Sequence, residues 1–267
     1  MSSATLTTHD LIVLEKIKDP ESGPAPPLLI SESLPKDPHV TDQELYQSII
    51  QQERGIISTV QEIELQIAGL KPTSQSSSPL TQYLICVKKF DKLIEDYPNY
   101  ASARNNRAQA LRRIYGDAML VKSPLETLGE QATVLDPTAS DALLMSVSKR
   151  VLEDLTKAIF LLTPKLFSPL STQAAKTLSQ VYTQRGALYH LTAKRLSSKD
   201  TVLRIDEKQK EVQWKVIDFE ENASMDFMMG GTYGNEIAKA LAVTTNPTAK
   251  LCGDMVREAM RREYAGV

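Results

Sequence analysis

Three groupings of residues in this chain are candidates for catalysis or for metal or phosphate binding, and none has the types and spacing that such chemistry requires. Glu220 and Glu221 are adjacent, and adjacent side chains on a helix point about 100° apart, so they do not converge as an acid and a base. The segment Gly230–Gly234 lacks the Gly-Lys-Ser/Thr ending of a phosphate-binding loop, which favours a turn between helices. No histidine lies at metal-ligand spacing from a cysteine or an acidic residue. The histidines are His9, His39 and His190. The sequence therefore predicts no catalytic residues, no metal and no cofactor, and so a protein that is not an enzyme.

The most informative polar pattern lies on one predicted helix, in the stretch Ala101–Asp117, ASARNNRAQALRRIYGD. Its alanines form a small face that allows a second helix to approach closely, and its amide and guanidinium side chains fall on another face. Gly116 is predicted to end the helix, because glycine adopts a left-handed cap without a Cβ clash. A polar face that is only solvated is the alternative to a binding face. The predicted partner-binding residues are Asn105, Asn106, Gln109, Arg112, Gln180, Thr183 and Gln184.

Composition excludes several classes of partner. The chain has 267 residues, is 42% hydrophobic and carries a net charge of −2, so there is no basic footprint for nucleic acid and no polybasic membrane patch. No window approaches the ~18 apolar residues of a membrane span. The first ten residues lack the basic and apolar regions of a signal peptide, which predicts a cytoplasmic or nuclear location. Cys86 and Cys252 lie in apolar helical patterns and are predicted as buried free thiols rather than as a disulfide or redox pair.

Helix signals recur along most of the chain. A capping box at Thr41–Glu44 predicts the start of a long helix, and Ser-Pro and Asn-Pro pairs predict other helix starts. Apolar residues recur at spacings of three and four between these signals. Further helices are predicted from Ser78-Pro79 to about Asp96, over Ala101–Tyr115, from Asp136-Pro137 to Pro164, from Ser168-Pro169 to Leu196, from Asp200 to Met228, over Thr232–Ala242, and after Asn246-Pro247.

The remaining segments are predicted as connections or packing residues. Leu6–Lys18 is a short amphipathic stretch, and Glu21–His39 is a Pro- and Ser-rich linker, mobile or partly polyproline II. Asp117–Asp136 breaks the helical pattern and indicates an insertion.

Trp214 is predicted to pack, with an interface anchor as the alternative. A methionine cluster is predicted to fill the core, with a docking patch as the alternative. It comprises Met225, Met228 and Met229.

Helical hairpins at a rough period of 34 residues indicate tetratricopeptide repeats. The residues that match repeat positions are Cys86, Phe90, Leu93 and Pro98, then Ala108, Val151, Leu155, Ala158 and Pro164, then Tyr182, Gly186, Tyr189 and Phe219. We predict an all-α fold of tetratricopeptide-repeat hairpins in a short right-handed superhelix. Three degenerate units span 41–98, 100–164 with an insertion at 117–146, and 168–231. Residues 1–40 precede them, and a capping helix pair at 232–267 hides the apolar face of the last unit.

The sequence resembles the tetratricopeptide repeat protein 36 family, a small eukaryotic family with three repeats. The resemblance is carried by Ala101–Ala103, Asn105–Ala110, Leu152–Leu155, Gln184–Gly186, Asp218–Glu220, Asn246-Pro247, Ala249, Leu251-Cys252 and Met255, and by Val13-Leu14 with Asp19-Pro20. This chain is longer, with the Pro/Ser linker, the insertion at 117–146, an extra residue before Gly116 and a longer loop ahead of Trp214.

The resemblance implies a non-catalytic adaptor whose partner is another protein. Members of the family have been connected with 70-kDa heat-shock chaperones and with protecting 4-hydroxyphenylpyruvate dioxygenase, an enzyme of tyrosine breakdown, from degradation. Repeats that hold the EEVD tail of chaperones use charge-assisted donors in a carboxylate clamp. Asn106 matches one clamp position, but the others fall on amides or on Ile56, so no clamp cation remains. The positions without a cation are Gln52, Ile56, Gln180 and Gln184. The resemblance therefore favours an adaptor, with a co-chaperone that binds through another surface as the alternative.

Overall fold

A computed structural model describes residues 29–72, 77–122, 134–165, 168–198 and 200–265. Within these ranges the chain forms eight α-helices, two short 3₁₀ helices and one two-stranded antiparallel sheet. The α-helices are α1 Gln43–Ile67, α2 Pro79–Asp96, α3 Ala101–Tyr115, α4 Asp141–Leu162, α5 Thr172–Leu196, α6 Val216–Thr232, α7 Glu236–Thr245 and α8 Pro247–Ala265. The 3₁₀ helices are Asp117–Leu120 and Lys210–Gln213, and the strands are β1 Val121–Lys122 and β2 Val202–Leu203. The all-α prediction is confirmed.

Side-chain caps fix where most helices begin, because an oxygen at the N-cap satisfies a backbone N–H that has no partner within the helix. Ser78 caps α2 and Asn246 caps α8, both as the sequence predicts. The start of α1 lies one residue later than predicted, since Asp42 rather than Thr41 accepts the N–H of Leu45 at 2.8 Å. Gly116 ends α3 with φ 82° and ψ 163°, so its φ is positive but its ψ is extended rather than left-handed helical.

Two predicted helix starts are wrong. The helix predicted from Asp136-Pro137 begins at Asp141 with Ser140 as its cap, and Asp136 instead accepts the N–H of Thr138 at 3.2 Å in a turn. The helix predicted from Ser168-Pro169 begins at Thr172, because Leu170 is extended and pairs with the backbone at Leu29 and Ser31. Tertiary pairing overrides the Ser-Pro signal here.

The long helix predicted from Asp200 to Met228 is also wrong in its first half. β2 lies there and pairs with β1, with Val121 opposite Leu203, so the two inserted segments satisfy each other's backbone groups. The 3₁₀ helix at 210–213 follows, and α6 begins only at Val216. Glu211 accepts the hydroxyl hydrogen of Tyr189 at 2.7 Å, which fixes this segment against α5.

Gly230 and Gly231, which the sequence predicts to lie in a turn between helices, lie inside α6. A Cβ at Gly230 would lie 2.7 Å from Oγ1 of Thr183, and one at Gly231 would lie 2.8 Å from Cα of Lys239. The two glycines therefore allow α5 and α7 to pack closely on α6. The turn after α6 uses Gly234, whose φ is 102°.

The helices pack as successive hairpins, α1 with α2, α3 with α4 and α5 with α6, around one hydrophobic core. The repeat-position side chains from Cys86 to Phe219 that the sequence analysis names are buried in this core, apart from the two prolines. Trp214 packs edge-on against Tyr189 and Phe219, each with ring centroids 5.1 Å away, which agrees with the packing prediction.

Residues 29–40 pack against the helices, whereas the composition of Glu21–His39 predicts a linker that is mobile or partly polyproline II. Ser31 N–H donates to the carbonyl of Leu170 at 3.0 Å, and Ser171 Oγ donates to the carbonyl of Lys36 at 3.0 Å. His39 Nε2 lies 2.9 Å from the carbonyl oxygen of Leu161. This segment therefore connects the start of the third hairpin to the start of the first. The predicted amphipathic stretch Leu6–Lys18 lies outside the described residues.

The last two helices differ in how they pack. α7 lies against α6, with Ala238 fully buried, and so covers the third hairpin as a cap is expected to do. α8 leaves its large apolar side chains exposed to solvent, namely Leu251, Met255, Val256 and Met260. Cys252 on this helix is an exposed free thiol, so its predicted burial is wrong, whereas Cys86 is buried as predicted. Met225 and Met228 of α6 are also exposed, which contradicts core filling by these two residues.

Candidate functional site

Four of the predicted binding residues form a hydrogen-bonded network across the first helices of the second and third hairpins. Gln184 Nε2 on α5 donates to Oδ1 of Asn105 on α3 at 2.7 Å, and Asn105 Nδ2 donates to Oε1 of Gln180 at 3.3 Å. Arg112 Nη1 donates to Oε1 of Gln184 at 3.0 Å. Asn105 is buried, whereas Gln180 is exposed. The network therefore joins α3 to α5 and presents polar atoms on their shared surface. We call this surface the concave face, because the binding surface of a repeat superhelix is its inner, concave one.

The same surface extends to the first hairpin through Glu53, which is not among the predicted binding residues. Asn106 Nδ2 donates to Oε1 of Glu53 at 2.8 Å, and Tyr100 OH donates to Oε2 at 2.6 Å. Glu53 is only 4% exposed. Burial, and next the charge of Glu53, raise the pKa of Tyr100, so its hydroxyl stays protonated and able to donate. Glu53 is therefore the residue of α1 that completes the network.

Two arginines of α3 lie at this surface, and both are paired with acids. Arg112 donates from Nε and Nη2 to the two carboxylate oxygens of Asp117, at 2.7 and 2.9 Å. Arg113 Nε donates to Oε1 of Glu64 on α1 at 2.8 Å. Burial is the largest single effect on Glu64 and raises its pKa. The hydrogen bonds from Arg113 and Tyr83 together outweigh burial and lower the pKa, so Glu64 is ionised. These cations are therefore neutralised within the chain.

The remaining predicted residues are placed differently. Thr183 Oγ1 donates to the carbonyl of Ser179 at 2.7 Å and accepts from Asn235 Nδ2 at 3.1 Å, so its contacts lie at the junction of α5 with α7. It does not join the network around Asn105. Gln109 is exposed on α3. The structure also buries Ile56 in the core, and Glu53 is the α1 side chain that reaches Asn106, so the clamp register assigned to Ile56 is wrong.

In the second and third hairpins, a buried ion pair holds the first helix against the second helix of the same hairpin. Arg107 on α3 donates from Nε and Nη2 to the carboxylate of Asp154 on α4, at 2.7 and 2.6 Å. Arg185 on α5 donates in the same way to Asp226 on α6, at 2.8 Å from both nitrogens. Burial opposes the charge on Arg185, but its hydrogen bonds with Asp226 outweigh burial and raise its pKa. These pairs orient the helices whose other faces carry the network.

A sequence signal for Glu53 existed in the repeated tripeptides. Glu53-Arg54-Gly55, Asn106-Arg107-Ala108 and Gln184-Arg185-Gly186 share an arginine followed by a small residue. Aligning them places Glu53 in register with Asn106 and Gln184. The aspartates that pair with the arginines lie 47 and 41 residues downstream, so local spacing alone does not identify them.

Neither a metal centre nor a membrane span is found in the described part of the chain. No group of three or more His, Cys, Asp or Glu side chains there lies close enough to hold a metal ion. None of the described helices combines the length and the apolar character that crossing a bilayer requires.

The consecutive helical hairpins and the polar network across their first helices define an all-α helical repeat protein of the tetratricopeptide type. Over 270 residues the chain is 32% identical to the L-tyrosine degradation gene cluster protein hmgX of Aspergillus fumigatus, with 100% of this chain and 96% of that protein covered. It is 27% identical over 258 residues to tetratricopeptide repeat protein 36 of Danio rerio, with 96% of this chain and 94% of that protein covered. The chain belongs to the family of these two proteins, as a divergent member. No protein-family model and no solved structure matches it.

Proposed function

We propose that this chain is a non-catalytic adaptor that binds an enzyme of tyrosine breakdown and protects it from degradation. The observation that carries the proposal is the network of Asn105, Asn106, Gln180 and Gln184, which links three hairpins into one polar surface. A surface already bonded in the free protein loses little conformational entropy when a partner binds. The two relatives agree with this role, since one is named for L-tyrosine degradation and the other for tetratricopeptide repeats.

The proposed client is 4-hydroxyphenylpyruvate dioxygenase, the enzyme that the family resemblance implies. The proposed contact surface is the concave face, with exposed Gln109 and Gln180 at its rim and Asn106 within it. Thr183 stays a candidate from the sequence, although its hydroxyl is bonded between α5 and α7. The cytoplasmic location likewise stays a prediction.

A co-chaperone role is the second candidate, through a surface other than a carboxylate clamp. Exposed side chains on the outer helices support it: Phe160 of α4 is 73% exposed and Met225 of α6 is 61% exposed. Large exposed apolar side chains often mark interaction sites. The contacts of Glu53 with Asn106 count against a clamp, because the one clamp-like amide is already bonded to a carboxylate.

The experiment is an affinity capture with tagged full chain from cells that carry the tyrosine pathway. The wild type is compared with an Asn106→Ala/Arg112→Ala variant and with a Lys88→Ala/Lys89→Ala control on exposed positions of α2. We expect the dioxygenase among the captured proteins with the wild type and the control, and its loss with the concave-face variant. Capture that the concave-face variant leaves unchanged contradicts this surface, and capture of a 70-kDa chaperone alone favours the second candidate.

A further inference from the structure

The last helix, α8, exposes a row of large apolar side chains along most of its length. Their exposed fractions range from 48% for Met260 to 77% for Tyr264. They form two adjacent rows at four-residue spacing, and such rows lie together on one side of a helix. We call this set the α8 stripe. It comprises Leu251, Met255, Val256, Met260 and Tyr264.

The side of α8 that meets the rest of the chain is a different one. Lys250 Nζ donates to Oε1 of Glu220 on α6 at 2.6 Å, and Gly253 is half-buried. At about 100° per residue, Lys250 and Gly253 lie about 140° and 160° around the helix from Met255. No side chain of α8 whose burial the structure describes is buried. The stripe is therefore not the surface by which α8 packs on its own chain.

An amphipathic helix of this kind gains most of its stability when its apolar side is covered. α8 has 19 residues, and helices little shorter than this are marginal in water without tertiary packing. Rows at four-residue spacing are the ridges that interdigitate when two helices pack. The stripe therefore fits another helix that carries matching rows, and α8 of a second copy of the chain is such a helix.

The charged residues beside the stripe make α8 complementary to itself. Asp254 and Glu258 precede Arg261 and Arg262 along one flank of the helix. When two such helices pack antiparallel, the same flanks meet, so the acids of each copy lie beside the arginines of the other. A parallel pair sets this flank against the other flank of its partner, and those contacts are lost. Charge complementarity of this type selects the partner and its orientation.

We propose that two copies of the chain form a symmetric dimer in which α8 packs antiparallel on α8 of the second copy through the stripe. A twofold axis at the middle of the stripe sets Leu251 opposite Tyr264, and Met255 opposite Met260, of the second copy. One helix from each copy buries less than the about 1,200 Å² typical of stable complexes, so the dissociation constant falls in the micromolar range. Each dimer carries two concave faces, one from each copy.

The first test is sedimentation velocity of the purified full chain from about 1 to about 100 µM, which brackets a micromolar dissociation constant. The wild type is expected to pass from monomer to dimer. Val256→Glu/Met260→Glu is expected to weaken the dimer at least tenfold. Phe160→Glu/Met225→Glu, at equally exposed apolar positions of α4 and α6, is the matched control and should dimerise as the wild type does. A wild type that stays monomeric, or a dimer that the α8 variant leaves unchanged, overturns the proposal.

The second test exchanges the charges on the flank. Glu258→Lys alone and Arg261→Glu/Arg262→Glu alone each set like charges against one another in an antiparallel dimer, so each is expected to dimerise at least tenfold more weakly than the wild type. An equimolar mixture of the two variants restores opposite charges at both ends, and we expect dimers near the wild-type affinity. A mixture that associates no better than either variant alone overturns the antiparallel arrangement. All three positions are exposed, and thermal melts establish that each variant is folded.

Hydrogen exchange measured by mass spectrometry locates the interface without any substitution. The amides of α8 are expected to exchange more slowly at about 100 µM than at about 1 µM, whereas those of α2 are expected to exchange equally at both. Exchange in α8 that does not depend on concentration overturns the proposal and leaves the stripe to a helix of a different protein. None of these measurements involves a client enzyme, so their failure leaves the proposed function as it stands.

Discussion

Arg107 on α3 and Asp154 on α4 form a buried ion pair in which two guanidinium nitrogens each donate to a separate carboxylate oxygen. Arg104 Nη1 adds a third bond to Asp154 at 3.1 Å, and Asp91 of α2 accepts from Arg107 Nη1 at 3.0 Å. One aspartate thus accepts hydrogen bonds from two arginines, and one arginine joins three helices. The pair ties α3 to α4, while Asn105 and Asn106, which precede Arg107 on α3, project from other faces of the helix toward Gln180, Gln184 and Glu53.

Asp154→Asn is expected to destabilise the protein by about 3 kcal/mol or more, because it removes the buried carboxylate that pairs with Arg107 and Arg104 and leaves Arg107 only the more exposed Asp91. The measurement is urea unfolding followed by circular dichroism. Glu95→Gln is the control, since Glu95 pairs with Lys92 only on the surface and should change stability by less than about 1 kcal/mol. A loss for Asp154→Asn as small as that of the control would show that the pair does not fix the hairpin.

Gly186 and Gly55 occupy equivalent places in the repeated tripeptides but have different surroundings. A Cβ at Gly186 would lie 3.1 Å from the Phe227 ring and 3.2 Å from Cβ of Asp226, whereas one at Gly55 meets nothing within 4 Å. Gly186→Ala is therefore expected to destabilise the protein by about 1–3 kcal/mol through overpacking. Gly55→Ala is expected to stabilise it by about 0.5–1 kcal/mol, because alanine favours the helix interior. Equal effects of the two substitutions in thermal unfolding would contradict the close packing of α5 on α6.

His190 on α5 makes stability depend on pH in a predictable direction. Burial, and then the charges of Lys250 and Lys194, lower its pKa, with Glu220 acting in the opposite sense. Its Nδ1 is buried without a hydrogen-bond partner in the described structure. As pH falls through the unfolded-state pKa of about 6.5, the imidazole takes up a proton in the unfolded chain more readily than in the folded chain. The contribution of His190 to the free energy of unfolding is therefore fully present above that pH and is progressively lost below it.

His190→Phe is expected to make the fall in stability between pH 7 and pH 5 shallower than in the wild type. The measurement is the free energy of unfolding in urea at several pH values. Lys88→Ala, which retains His190, is the control and should follow the wild type. A pH profile of His190→Phe that parallels the wild type would show that His190 does not carry this dependence.

Local signals predicted the helices well where sequence neighbours decide the structure. Ser78 and Asn246 cap their helices as their positions indicate, and Ala101–Tyr115 is helical over the expected range. Ser168-Pro169 carries the same local signal as Ser78-Pro79, yet Leu170 is extended because it pairs with residues more than 100 positions earlier. β2 was predicted as helix for the same reason, since its partner β1 lies in a distant insertion.

The candidate site was partly predictable. The polar faces of two helices predict five binding residues that the structure brings into contact, namely Asn105, Asn106, Gln180, Gln184 and Arg112. Thr183 lies on the same helix as Gln184 but bonds toward α7, which a helical face alone does not reveal. A helical face does not single out Glu53, because acidic residues on a helix surface are common. Its contacts with Tyr100 and Asn106 come from the start of α3, 47 and 53 residues away.

Direct binding between the purified full chain and purified 4-hydroxyphenylpyruvate dioxygenase tests the central claim. Isothermal titration is carried out with the wild type, with Asn106→Ala/Gln180→Ala and with the Lys88→Ala/Lys89→Ala control. We predict saturable binding by the wild type and the control, weakened at least tenfold, or about 1.4 kcal/mol, by the concave-face variant. No binding by the wild type, or equal binding by all three, would contradict an adaptor that holds this enzyme through its concave face.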